Sequence, residues 1–254
     1  MRNARLLASQ VRYEQKAFWR NPAAGIFTVG FPIMFLLIFG STNHSTHVTG
    51  NPGVSYDQYL VPAMLAYGLM NSCFTALAIA MTIRRESGIL KRIKGTPLPP
   101  YIFLGGVIGN SVLISILTTV IVVTIGIAEF GISMPTHPAV FVVVILIGVV
   151  AFCTMGLAVT IFVPNADSAP AIVNGIYLPI IFISGVFFPI SNTSILHKIG
   201  NVFPVNHFAQ SLLATFAGYG PGFGITFREF SVVIIWSIVS LWIAIRRFRW
   251  EPRK

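Results

Sequence analysis

Long apolar runs, each about as long as a bilayer is thick, alternate with short polar breaks along the chain. A helix needs about 20 mostly apolar residues to cross the hydrocarbon core. By that measure the pattern predicts six spans, near residues 23–40, 58–83, 101–128, 139–163, 170–189 and 229–246. An even number places both ends of the chain on one side. Residues 2–20 show a different pattern. At a helical 100° per residue, Leu7, Val11 and Phe18 share one face, with Arg5, Arg12 and Lys16 opposite. This predicts a basic amphipathic helix in the interface plane. Asn21-Pro22 ends it and starts the next helix. Between spans 5 and 6, residues 190–228 mix apolar positions with Asn, His, Lys, Gln and Pro. Their two apolar pieces, near 194–203 and 206–217, are too short to cross. A re-entrant or surface-lying helix pair on the outer side is expected, allowed where protein covers the backbone. A seventh crossing through 195–217 is the competing reading, opposed by His197, Lys198, Pro204, Asn206 and His207. The expected fold is an all-α integral membrane protein, with residues 1–254 as one transmembrane domain.

Composition agrees. The chain is 55 % hydrophobic and 9 % charged, where a soluble domain carries about a quarter charged residues. Mean hydropathy is +0.79. The net charge of +10 would suggest nucleic acid in a soluble protein, but its placement gives it another role. Arg2, Arg5, Arg12, Lys16 and Arg20 precede the first span. Arg84, Arg85, Lys91, Arg92 and Lys94 come after the second, and Arg246, Arg247, Arg249, Arg253 and Lys254 after the last. These are 15 of the 17 basic residues, and the positive-inside rule assigns all three clusters to the cytoplasm. The expected location is the cell (inner or plasma) membrane, multi-pass, with both termini cytoplasmic. Anionic lipids suit such clusters, and nucleic acid is not an expected partner.

The chemistry of an enzyme is missing from the sequence. There is no GxxxxGK[ST] phosphate loop, no HExxH and no GxSxG elbow. Cys73 and Cys153 sit in apolar runs as packing residues, and His44 and His47 lack an obvious third metal ligand. Neither catalytic residues nor a metal site is expected. All seven acids, Glu14, Asp57, Glu86, Glu129, Asp167, Glu229 and Glu251, lie at span ends or in loops. That weakens an ion-coupled secondary carrier, which usually holds ionisable groups within the membrane.

The loop RRESGILKRIKGTPLPP, residues 84–100, is the densest cluster of charge between spans. Glu86 to Lys94 can form about two helical turns, with Ile89 and Ile93 on one face and Leu90 beside them. Gly95 stops that helix, and Pro97, Pro99 and Pro100 keep it from running into span 3. Taken alone, the loop reads equally well as an orientation signal.

The order of segments resembles the ABC-2 type permeases, the membrane subunits of bacterial ABC exporters of drugs, polysaccharides and lipids. The resemblance covers essentially the whole chain. It rests on the basic N-terminal helix, six spans, the loop with Glu86, Gly88, Leu90, Lys91, Arg92, Thr96, Pro97 and Leu98, the segment NGIYLPIIFISGVFFPI (174–190), and PVNHFAQSL (204–212). It implies a permease without its own ATPase site, paired with a second copy or a paralogue and seated on separate ABC ATPase subunits. Those subunits would hold ATP and Mg, so no cofactor would bind this chain. The loop after span 2 would be the coupling helix, with Arg85, Glu86, Gly88, Ile89, Leu90, Arg92, Ile93, Thr96 and Pro97 as ATPase-coupling positions. In that picture Glu86 pairs with a basic residue of the ATPase, while Ile89, Leu90 and Ile93 supply a buried anchor.

The resemblance also implies a substrate path lined by spans 2 and 5. Candidates are Asn71, Ser72 and Thr75 on span 2, and Asn174, Tyr177 and Ser184 on span 5. Each also suits a hydrogen bond to a neighbouring helix, which is the commoner role for such residues. Phe182, Phe187 and Phe188 are candidates for an apolar outer gate, or for packing against lipid. The implied cargo is amphipathic or lipophilic, a drug, lipid or hydrophobic metabolite moved outward. An ion-coupled efflux carrier and a non-transporting membrane scaffold are the alternatives.

Overall fold

A computed structural model describes residues 2–43, 47–48, 51–188, 194–217, 227–248 and 251. The described chain is a helical bundle. Helix α1 (Arg2–Trp19) precedes α2 (Pro22–Asn43). Strands β1 (His47–Val48) and β2 (Asn51–Ser55) pair antiparallel, a small ribbon where only a polar loop was expected. Then come α3 (Tyr56–Glu86), α4 (Ile89–Lys94), α5 (Pro100–Phe130), α6 (Pro138–Val159) and α7 (Ala169–Ile183). Helices α8 (Ile195–Gly200), α9 (Pro204–Ala217) and α10 (Phe227–Arg247) complete it. Among the described residues, five helices, α2, α3, α5, α6 and α10, are long and apolar enough to cross a membrane. The chain is a multi-pass membrane protein. Helix α7, expected as the fifth span, is apolar but only 15 residues long.

Helix α3 is the axis of the bundle: 78 % of its most apolar stretch is buried, against 17 % for the peripheral α10. Ser55 starts α3 with a capping box, its hydroxyl accepting from Gln58 N–H while Gln58 Oε1 accepts from Ser55 N–H. Halfway along, residues Asn71–Ala76 form a π turn, and α2 carries its own at Ile26–Gly30. The two turns face each other, and Asn71 Nδ2 donates to the Phe27 carbonyl at 3.1 Å. A π turn weakens the regular backbone ladder, so a side-chain donor here satisfies a carbonyl that lipid could not. Helix α6 closes on the same turn of α3 through Gly156, where a Cβ would stand 2.9 Å from the Cys73 and Phe74 carbonyl oxygens.

Helix α1 spends part of its apolar face on protein. It lies along α5 over Gly105, Gly106 and Gly109, which meet Leu7, Gln10 and Val11. A Cβ at Gly106 would fall 2.2 Å from Gln10 Cγ. Asn21 caps α2, its Oδ1 accepting from Ala24 N–H at 3.3 Å with Pro22 in the first turn, as the sequence suggests. At the opposite end of the bundle, α9 packs among α3, α6 and α10, with Phe208 filling the notch at Gly148 and stacking edge-on against Phe152. His44 and residues 190–193 and 218–226, which include parts of the expected outer segment, lie outside the described residues.

Candidate functional site: the helix at the basic end

The end of the bundle carrying residues 84–100 is built around α4. Gly88 precedes α4 with φ +73, a left-handed turn that a side chain would strain. Its N–H donates to the Arg85 carbonyl, and its own carbonyl accepts from Arg92 N–H. Gly95 closes α4, and Thr96 Oγ1 donates to the Ile93 carbonyl at 2.7 Å. Thr96 and Pro97 are exposed in the stretch that enters α5, whose first turn holds Pro100.

The side chains of this loop divide between inward and outward roles. Leu90 is fully buried in the chain's own core, with Ile93 packed partly against it. Ile89 is 42 % exposed, and Lys91, Arg92 and Lys94 are exposed beside it. The expected three-residue anchor for a partner is therefore corrected. Leu90 secures α4 to the bundle, and only Ile89 of the apolar three stands well out. The two arginines divide in the same way. Arg84 forms a bidentate ion pair with Glu14 of α1, at 2.9 and 2.6 Å, and Gln10 Nε2 adds a third bond to that carboxylate at 3.2 Å. Arg85 is 3 % exposed and donates to the carbonyls of Thr160 at 2.9 Å, Val163 at 2.5 Å and Pro164 at 3.5 Å. Glu86, expected to meet a partner's cation, accepts from the backbone N–H of Ala166. The residue is exposed, and this bond engages one of its two carboxylate oxygens. Beside the Arg84–Glu14 pair, between α1, α2, α3 and α5, lies a cavity of about 190 Å³ that Thr28, Ser72, Asn110 and Ser111 help to line.

Of the candidate path residues, Asn71 and Ser72 are held in hydrogen-bonded contacts. Asn71 is bound to α2 through the Phe27 carbonyl. Ser72 Oγ donates to the Leu69 carbonyl at 3.1 Å and lies 3.4 Å from Ser115 Oγ of α5. Thr75, Tyr177 and Ser184 are buried, and Asn174 is half-buried. Tyr67 and Tyr177 bring α3 and α7 together, ring centroids 6.1 Å apart. Phe187 is buried in an aromatic cluster with Phe35, Phe39, Tyr67 and Phe182, at centroid distances of 5.1 to 6.0 Å. Phe182 and Phe188 are more than half exposed, and Phe188 touches Phe39 at 5.7 Å. Of the three expected gate residues, then, Phe187 is the packed centre and the other two form its rim. Tyr59 O–H donates to the Gly185 carbonyl, tying this cluster to the start of α3.

Sequence reading named His207 only as a residue opposed to a seventh crossing and gave it no partner. It is buried at the far end, with Nδ1 against the Glu229 carboxylate of α10 and Nε2 at 2.8 Å from the Asn201 carbonyl. Burial pulls its imidazolium down, but the Glu229 and Asn201 acceptors outweigh that and leave its pKa raised, against opposition from Arg228. Among the described residues, no group of three His, Cys, Asp or Glu side chains is placed to hold a metal.

A bundle of apolar helices with a short basic helix braced at one end is the architecture of a polytopic membrane protein. The model of the ABC-2 type transporter family matches residues 6–217, and the chain belongs to that family. The chain is also similar to the "Putative transport permease YvfS" of Bacillus subtilis (strain 168), 24 % identical over 239 residues, 93 % of this chain and 94 % of that protein.

Proposed function

We propose that the chain is the permease subunit of an ATP-driven exporter. It would cross the membrane six times, with both termini and α4 on the cytoplasmic side, and move an amphipathic or lipophilic cargo outward. It would pair with a second copy or a paralogue, and separate ABC ATPase subunits would hold ATP and Mg. The observation that carries this reading is the outward half of α4: a six-residue helix fixed from inside by Leu90 presents Ile89, Lys91, Arg92 and Lys94 to the surroundings. One apolar contact ringed by cations suits an acidic groove on an ATPase subunit.

The test is a mild-detergent pull-down of the tagged chain from its native host, reading ATP hydrolysis in the eluate. Lys91→Glu with Arg92→Glu reverses the outward charge and leaves Leu90 in place. The wild type is expected to retain an ATPase subunit that this variant loses. A folded wild type that brings down no ATPase ends the proposal. Transport abolished by an ionophore with ATP intact would then select the ion-coupled carrier.

A further inference from the structure

Arg85 and Glu86 are adjacent at the end of α3, and both reach sideways. Thr160, Val163 and Pro164 form the end of α6 and the turn after it, where helix carbonyls run out of intrahelical donors. A guanidinium is the suitable group for that position, since its fork offers several donors and its charge meets the negative end of the helix dipole. Glu86 then takes the N–H of Ala166 on the same turn. Asn165 stiffens the stretch leading into α7, because its Oδ1 accepts from Ser168 N–H at 2.9 Å and its carbonyl from Ser168 Oγ at 3.2 Å. Ala169 N–H bonds back to the Ala166 carbonyl at 3.2 Å, and α7 begins at that residue. Two consecutive side chains of α3 thus hold the entire turn between α6 and α7.

We infer that Arg85 and Glu86 are positioning residues that transmit movement of α4 to α6 and α7, instead of contacts for the ATPase subunit. This rests on the proposal that such a subunit docks on α4, and deepens it. The covalent chain connects α4 only to α3, through Ser87-Gly88, and to α5, through Gly95–Pro99. A push on α4 delivered through the backbone alone reaches α3 and α5. The bonds from Arg85 and Glu86 add a polar tie at this end to the packing of α3 against α6 and α7, and Ala166 stands three residues before the start of α7. Short connections of this kind carry a shift as a rigid unit.

The test uses the full chain co-expressed with its ATPase subunit and placed in lipid nanodiscs. With the native Cys73 and Cys153 buried, one exposed reporter cysteine at a time is introduced by Ala171→Cys on α7 or Tyr101→Cys on α5. Fluorescein-maleimide labelling rates are compared with and without ATP plus vanadate. In the wild-type background both rates are expected to change at least threefold with nucleotide. Glu86→Ala should abolish the change at residue 171, keep it at residue 101 and retain the ATPase subunit. Glu86→Gln, whose carboxamide oxygen accepts the same N–H, should restore it. Ala166→Pro removes that N–H without touching Glu86 and should reproduce Glu86→Ala, which separates loss of the bond from misfolding of either variant. A response at residue 171 that survives both Glu86→Ala and Ala166→Pro overturns the inference. So does loss of the ATPase subunit from Glu86→Ala, which would make Glu86 a docking contact. If the unsubstituted chain binds no ATPase subunit, the proposed function fails and the inference falls with it.

Discussion

The Arg84–Glu14 pair makes an unequal prediction about its two members. The Glu14 side chain is 8 % exposed and the Arg84 side chain 22 %. Removing Glu14 leaves a guanidinium on a long stem that can turn toward water. Removing Arg84 leaves a buried carboxylate with the single 3.2 Å bond from Gln10. Breaking a fully buried pair costs about 3–5 kcal/mol, and an exposed pair is worth up to about 1 kcal/mol. This site lies between those limits. Arg84→Ala is therefore expected to cost about 2–3 kcal/mol, Glu14→Ala about 1 kcal/mol, and the double variant less than Arg84→Ala alone. Thermal unfolding in detergent, monitored by tryptophan fluorescence, provides the comparison. One kcal/mol corresponds to a shift of about 2–4 °C in a chain of this size. The midpoint should fall about 4–12 °C for Arg84→Ala and recover in part when Glu14→Ala is added. Equal single effects that simply add in the double variant would refute the claim that this pair fastens α1 to α3.

Two other parts of the bundle can be tested in the same way. Gly106→Val drives a branched side chain into Gln10, so α1 should lift from α5, with a loss of about 1–3 kcal/mol and faster proteolysis within residues 2–19. Because the His207 pKa is raised above the ordinary value of about 6.5, its contribution to stability is full below that pH and is lost as pH rises through the raised value. The unfolding midpoint should fall over that interval in the wild type and stay level in His207→Gln, whereas an unchanged slope in the variant would rule out His207 as the source.

The long apolar runs were legible because length and hydropathy alone decide whether a helix suits a bilayer. What each helix faces was not. Residues 60–70 of α3 are buried all round, so their sequence carries no stripe from which to tell a path-lining side from a packing side. The π turn at Asn71–Ala76 adds a residue where the 100° rule assumes none, and the faces read across it slip. Arg84 and Arg85 are chemically identical neighbours. Their roles differ because Glu14 and the Thr160–Pro164 turn, both remote in sequence, lie on different sides of α3. Leu90 and Ile89 are separated in the same way. The pairing of His207 was missed because its carboxylate partner sits 22 residues away with no spacing rule to connect them.

The division of α4 into an inward and an outward half bears on how such a subunit can change. Leu90 and the left-handed Gly88 maintain the shape of the helix, while Ile89, Lys91, Arg92 and Lys94 take no part in the core. Substitutions at those four positions alter what the helix can recognise without endangering the bundle. Under the proposed function, duplicated copies of the chain would acquire different ATPase subunits through a handful of surface changes. The six-residue segment behaves as an exchangeable plug on a fixed socket.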